Sequence, residues 1–224
     1  MIDLDRDGAV FVLRMRNDEN RFNPTSLSEI NDALDQVEAS EGGAALVTTG
    51  EGKFYSNGLD LEWMAGAGQV ASEQLLNDVH RLLARMLTFP MVTVAAINGH
   101  AFAGGLMLAL THDRRVMRSE RGYLCLPEVD LKMRRPLSPG MNALLQARVP
   151  APALAEALIT GRRYSAAEAV ERQLVHEALA EDQVLPVAIE SARGLAGKDR
   201  ETVNAIKRGL FEATVAVLET PYKL

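Results

Sequence analysis

Residues 91–111 read MVTVAAINGHAFAGGLMLALT. Met91 to Ile97 is a near-continuous apolar run. A strand with one wet face alternates apolar and polar residues; a strand that is apolar throughout is covered on both faces. Asn98 to Gly105 is a loop with three glycines, and Leu106 to Thr111 then reads as a helix. The same design of buried strand, glycine-bearing turn and helix start occurs upstream. There Ala44 to Thr49 (AALVTT) is the strand, Gly50 to Gly58 the three-glycine loop, and Leu61 to Gly68 a short segment of ambiguous type.

Outward from these two units, strand and helix alternate. Val10 to Arg16 (VFVLRMR) is a short β-rich segment after an acidic turn at Asp5 to Gly8. Ser26 to Glu38 places Leu27, Ile30, Ala33, Leu34 and Val37 at helical spacing. Ala71 to Phe89 reads as a long helix that Pro90 ends. Arg114 to Met117 and Tyr123 to Leu126 are short strands, and from Pro139 the chain is helical, with breaks at Pro150, Pro152, Gly161 and Pro186. The expectation is α/β layers with a helical appendix. The boundary falls near residue 185, giving a core over 1–185 and a helical region over 186–224.

The chain has 224 residues, 47% of them apolar, enough to bury a sizeable core. Its net charge of −6 argues against a nucleic-acid partner, which meets a basic patch. Cys125 is the sole cysteine, which excludes an intrachain disulfide and fits a reducing, cytoplasmic setting. The start, MIDLDRDGAV, has no basic segment before an apolar run. Runs such as MVTVAAI are too short to span a bilayer, so no membrane partner is expected. Tyr222-Lys223-Leu224 lacks the serine of a peroxisomal tail and is read as chance. His80, His112 and His176 show no ligand spacing, so no metal is expected.

A helix N-terminus leaves backbone N–H groups without partners and carries partial positive charge. Two glycine turns facing each other would aim two such donors at one oxygen, which is an oxyanion hole. Taken singly, each loop reads equally well as turn and packing glycines. The second lacks the Lys-Ser/Thr ending of a nucleotide phosphate loop and does not match GxGxxG.

In this order and separation the loops resemble the enoyl-CoA hydratase/isomerase (crotonase) family. KFYSNGLDL (53–61) and AINGHAFAGGLMLALTHDRRV (96–116) resemble its two oxyanion segments. YLCLPEVDL (123–131) is similar to the segment with its second acidic position, and GRRYSAAEAVERQLVHEAL (161–179) to a later family stretch. The resemblance implies an α/β fold, a spiral of ββα units, with a C-terminal helical region that builds trimers. It also implies an acyl-CoA thioester substrate, no cofactor beyond the coenzyme A of that substrate, and a homotrimer or dimer of trimers. The chain ends early for the family, which puts the oligomer contacts in question.

Residue by residue, the resemblance makes the N–H groups of Leu59 and Gly104 the oxyanion donors, with Gly58 and Gly105 shaping the two turns. It places Ser56, Asn57, Leu61 and Ala103 beside the substrate, Asn57 replacing a smaller residue. Arg21 and Phe22 sit where the family's first loop borders the CoA arm. Asp60 either bonds within its loop or caps a helix. Lys53 either meets a CoA phosphate or is a solvated loop residue. Trp63 and Met64 either roof the acyl pocket or join the core, and His100 either lines the pocket or is structural. Asp130 is close enough to Glu128 to bond the loops or an arginine. Cys125 reads as a core residue, and Ser56 has no His–acid partner for a hydrolase triad.

The acidic positions select the reaction. Hydratases of the family carry two glutamates; here the first position is Met107, which cannot accept a proton or orient a water. The second is Glu128. Single-glutamate members resemble Δ3,Δ2-enoyl-CoA isomerases, and SNGLDL and LCLPEVDL are similar to the plant peroxisomal ones. One carboxylate suffices to take a proton from C2 of a 3-enoyl thioester and return it at C4. Without the resemblance, Glu128 reads as a surface glutamate pairing with Lys132 or Arg134. The rival readings are another reaction of the family (hydration, thioester hydrolysis, decarboxylation, dehalogenation) and a non-catalytic acyl-CoA-binding paralogue.

Overall fold

The computed structural model of the chain describes residues 1–132 and 136–224. Its first half runs β1 (Ile2–Asp7), β2 (Val10–Met15), β3 (Arg21–Phe22), α1 (Pro24–Glu38), β4 (Ala45–Gly50), β5 (Phe54–Ser56), β6 (Gly58–Leu59), α2 (Leu61–Ala67), α3 (Gln69–Leu87), β7 (Val92–Ile97), β8 (His100–Phe102) and α4 (Gly104–Thr111). Its second half runs β9 (Arg114–Arg118), β10 (Leu124–Cys125), α5 (Pro139–Arg148), α6 (Ala151–Thr160), β11 (Arg163–Tyr164), α7 (Ala166–Glu171), β12 (Glu177–Leu179), α8 (Glu181–Arg193) and α9 (Arg200–Glu219).

Each turn of the chain gives one strand to a large sheet and one to a smaller element before a helix. The large sheet has the order β1-β2-β4-β7-β9-β12, parallel except for the β1-β2 hairpin. β5, β8, β10 and β11 form a second sheet, and β3 and β6 a two-stranded third. Successive strand pairs β4/β5, β7/β8 and β9/β10 therefore step along both sheets together. This is the expected spiral of ββα units.

The apolar run at 92–97 is explained by its two covers. Val94 and Ala96 join Val10, Val12, Ala45, Val47 and Val116 against Val184, Ala188 and Ala192 of α8. Ala95 and Ile97 point to the opposite face, into the main core. The small residues on α8 let it lie close to the sheet. The boundary expected near residue 185 falls inside this helix, whose packing ties it to the sheet. Pro186 does not break α8, because burial of Val184, Ala188 and Ala192 outweighs one lost backbone bond. Pro152 sits in the first turn of α6, where its missing N–H has no helical acceptor to lose. Gly161 ends α6 in the left-handed region at φ 61.

Two expectations need correction. Helices alone do not finish the chain: β11 and β12 extend both sheets. Residues 5–7 of the expected acidic turn belong to β1, paired with β2 from Ile2↔Met15 to Asp7↔Val10. Only Gly8, at φ 62, and Ala9 make the turn.

α9 packs on α3 and α5 and brings a buried cation to the sheet end. Lys207 Nζ bonds Asp113 Oδ2 at 2.6 Å and Met91 O at 2.8 Å. Asp113 also accepts from Thr93 N and Oγ1. Arg115, buried, donates to Leu174 O and His112 O. The Asp-x-Arg ending of the second loop is thus a structural clamp between β7, β9 and the C-terminal helices.

Candidate active site

The two glycine loops meet. β3 and β6 pair in parallel, with Phe22 opposite Leu59, and Asp60 N donates to Phe22 O at 3.0 Å. Amides alternate sides along a strand, so the Leu59 N–H faces away from β3. Gly104 opens α4, so its N–H has no acceptor within the helix. Gly58 has φ 77, and a Cβ built on it would lie 2.8 Å from Gly104 N. A Cβ on Gly104 would lie 3.5 Å from Gly58 Cα, and one on Gly105 only 2.2 Å from Ser56 O. The loops can come this close only because these positions carry no side chain. Ala103, just before the helix, has φ 48 and ψ −124, a conformation that costs an L-residue about 1–3 kcal/mol. Its N–H is tied to Cys125 O at 2.9 Å, and Met107 N bonds its carbonyl at 3.0 Å.

Behind the loops a buried chain locks β4, β5 and α4 together. His112 is fully buried, with Nδ1 2.9 Å from Leu108 O and Nε2 2.8 Å from Thr48 Oγ1. A carbonyl only accepts, so Nδ1 carries the proton and Nε2 accepts from Thr48. Tyr55 then donates to Thr48 Oγ1 at 2.7 Å. Burial pushes the His112 pKa down to about 4, which keeps the ring neutral.

The first loop is braced at its entrance. Asn57 Nδ2 and Arg21 Nε both donate to Glu19 Oε2 at 2.7 Å. The Asn57 hydrogen bond is the main reason that Glu19 stays below the usual carboxylate range, with Arg21 adding to it. Ser56 Oγ donates to Asn20 O at 2.7 Å and accepts from Gly58 N at 3.2 Å.

Where the loops converge lies a cavity of about 240 Å³. Of the residues singled out in the sequence, Arg21, Asn57, Leu59, Leu61, Ala103, Gly104, Met107 and Glu128 line it. Phe22, Ser56, Gly58, Asp60 and Gly105 are not among its lining residues. Phe22 lies in the core, its ring 3.4 Å from a Cβ built on Gly104. Ser56 is fully buried in the loop's own hydrogen bonds. Gly58 and Gly105 act through backbone closeness. Asp60 is the helix cap: it accepts from Trp63 N at 3.1 Å and from Asn23 Nδ2 at 3.2 Å.

Met64 lines the cavity, while Trp63 packs against the core without reaching it. Lys53 lies on an exposed loop over the Phe54 ring and does not line it. His100 accepts from Tyr123 N at 3.1 Å and packs among Phe54, Phe102 and Tyr123. Asp130 is exposed, 2.6 Å from where a Cβ on Gly161 would sit. Cys125 is buried, its Sγ 3.2 Å from Gly161 O, and burial pushes its thiol up to about 11.

Glu128 is the sole carboxylate among the described lining residues. It follows Pro127 in a tight turn in which Asp130 N donates to Pro127 O at 2.9 Å. Its Oε2 is buried and has no hydrogen-bond partner among the described residues. Loss of solvent raises its pKa from 4.5 to about 7. Among the described residues Glu128 makes no ion pair, with Lys132 or any other cation, and Arg134 lies outside them. Opposite chemistry is absent at Met107, which is 1% exposed.

Sequence reasoning missed the rest of the wall. Leu76 comes from α3, Ser138 and Met141 from the start of α5, and Tyr222 and Leu224 from the segment after α9. Leu76 lies on the apolar stripe of α3, a legible signal. Ser138 caps α5 and bonds His80 Nε2 at 2.7 Å; burial lowers the pKa of His80 to about 4. Among the described residues, no group of three His, Cys, Asp or Glu could hold a metal, and no helix is long and apolar enough to cross a membrane.

Residues 5–223 match the family model described as enoyl-CoA hydratase/isomerase. The chain is 36% identical over 221 residues to enoyl-CoA delta isomerase 3 of Arabidopsis thaliana, covering 94% of this chain and 92% of that one. It is 32% identical over 226 residues to a probable enoyl-CoA hydratase of Bacillus subtilis, covering 100% of this chain and 86% of that one. Among solved structures, the human mitochondrial delta3-delta2-enoyl-CoA isomerase aligns with a TM-score of 0.88 at 27% identity, covering 98% of this chain and 86% of that one.

Proposed function

The chain belongs to the enoyl-CoA hydratase/isomerase family, and on that premise we propose that it converts 3-enoyl-CoA to 2-trans-enoyl-CoA. The observation that carries this reading is Glu128: a half-buried carboxylate whose Oε2 is buried and unpartnered among the described residues, on a cavity where the second acidic position expected of the family holds Met107.

The thioester oxygen accepts from Leu59 N–H and Gly104 N–H. Ionised Glu128 takes a proton from C2, whose C–H bond lies between the thioester and the alkene. The bonding pair moves into the C1–C2 bond and the thioester π pair onto oxygen, giving a dienolate. Donors aimed at that oxygen are each worth roughly 10²–10³ in rate. The carboxyl then returns the proton at C4: the C3–C4 π pair bonds it, the C1–C2 pair becomes the C2–C3 double bond and the oxygen pair re-forms the carbonyl, which restores the carboxylate and gives the 2-enoyl thioester. The apolar lining keeps water from the dienolate, and Met107 leaves no second group to deliver water to C3. Assembly as a homotrimer or dimer of trimers belongs to the same reading.

The test is appearance of the conjugated 2-enoyl thioester from 3-hexenoyl-CoA. Glu128→Gln should lose 10²–10⁴-fold in kcat, the range of a positioned general base, while hexanoyl-CoA still binds. Wild-type activity on 2-enoyl-CoA plus water but none on the 3-enoyl substrate would refute the isomerase reading.

A further inference from the structure

The cavity wall is built by two kinds of segment. Its polar part comes from the glycine loops and the turn at Glu128. Its apolar part is supplied by Leu59, Leu131 and Leu137 of the loops, by helices, and by residues 222 and 224, where the chain leaves α9 and runs back along α3. The return is fixed by hydrogen bonds. Asn77 on α3 accepts from Tyr222 N at 2.8 Å and donates to Tyr222 O at 2.9 Å. Leu224 N donates to Glu73 Oε1, one turn earlier on α3, at 3.1 Å. Tyr222 also lies against the neutral His80 ring, with centroids 6.2 Å apart. A side-chain amide that satisfies both backbone groups of one residue fixes that residue's position and direction. Tyr222 and Leu224 thereby become a fixed part of the lining, beside Leu76 and Met141.

We infer that Tyr222 and Leu224, held by Asn77, set the length of acyl chain the cavity takes, and that this chain is short. The inference rests on the acyl-CoA reading above. A cavity of about 240 Å³ lies below the roughly 300–1,000 Å³ of sites that enclose drug-sized ligands, which suits a short chain. Tyr222 and Leu224 occupy part of the wall, so trimming either makes room for a longer chain. Tyr222 and Leu224 are specificity residues. Asn77 is a positioning residue, acting through Tyr222.

The test uses the whole protein and needs no turnover. Affinities for saturated butanoyl-, hexanoyl-, octanoyl- and decanoyl-CoA are measured by calorimetry for wild type, Leu224→Ala, Tyr222→Ala and Asn77→Ala. Wild-type affinity should peak at butanoyl- or hexanoyl-CoA and fall for the longer chains. In Leu224→Ala and Tyr222→Ala the optimum should move out by about two carbons. Octanoyl-CoA should then bind about tenfold tighter than to wild type, since each added buried methylene is worth about fourfold. Asn77→Ala keeps its helix and should broaden the same preference. An optimum that stays in place in all three variants, or a wild type that binds decanoyl-CoA as tightly as hexanoyl-CoA, overturns the inference. If that optimum shifts but no 3-enoyl-CoA is turned over, the isomerase reading fails and the length gauge stands.

Discussion

Replacing Glu128 with glutamine removes a charge that folding has to desolvate. The carboxyl is raised from 4.5 to about 7 by burial, and the sign of its effect on stability follows from linkage. Below pH 4.5 folded and unfolded chains both hold the proton, and the site carries no ionisation penalty. Between 4.5 and 7 the unfolded chain releases it while the folded protein does not, so stability falls as pH rises. Above 7 the folded carboxyl is ionised as well, and the penalty levels off at about 3 kcal/mol. Partial access of water makes this an upper value. Glutamine lacks the titration but keeps the shape, and its own unpaired amide costs the same at every pH. The informative quantity is therefore the difference between variant and wild type at two pH values. From pH 5 to pH 8.5 that difference should grow in favour of the variant by about 2–3 kcal/mol, roughly 5–10 °C in Tm for a chain of this size. Thermal unfolding at fixed protein concentration reads it directly. In parallel, kcat/KM of the wild type should rise with pH through an apparent pKa near 7 and level off, since the base must be ionised. A variant equally stabilised or destabilised at both pH values would show that Glu128 is solvated, and the case for a dry base would fail with it.

Met107→Glu places a second carboxylate on the cavity; like-charge repulsion should move the activity midpoint above 7, and a 3-hydroxyacyl product should appear from 2-enoyl-CoA. A midpoint left near 7 with no hydrated product would show that position 107 does not face Glu128. Gly58→Ala forces a side chain into the left-handed region and to within 2.8 Å of Gly104 N; unfolding stability should fall by roughly 1–3 kcal/mol. Its kcat should fall by at least 10²-fold, and near-wild-type kcat would count against the two-donor proposal. Lys207→Met strands Asp113, whose side chain is one-third exposed; denaturant titration should show a loss of about 2–3 kcal/mol with the acyl-length preference intact.

The large sheet was legible because its central strands are wrapped on both faces, which leaves Met91 to Ile97 apolar but for Thr93. The helix at 26–38 showed itself by its spacing, as Leu34 and Val37 are fully buried. β1 was not legible: its half-buried Ile2 and Leu4 alternate with acidic residues, and only pairing with β2 makes IDLDRD a strand. β12 is three half-buried residues, too few for a period. In the site, Gly58, Gly104 and Glu128 were found through resemblance, and their contacts agree with tight loop packing and burial. What no local pattern holds is the return of the chain onto α3, since Asn77 and Tyr222 are 145 residues apart. The same is true of the brace from Glu19 to Asn57.

Ala103 holds a further lesson for anyone who would alter this protein. If the groups that receive the developing charge are amides of the main chain, their strength and aim are written in torsion angles. The identity of the side chain at 59 is then open to drift, and a scan that trims side chains one by one would pass over both donors. Redirecting the reaction would have to come from the walls, while the anion cradle is inherited whole with the turn that makes it.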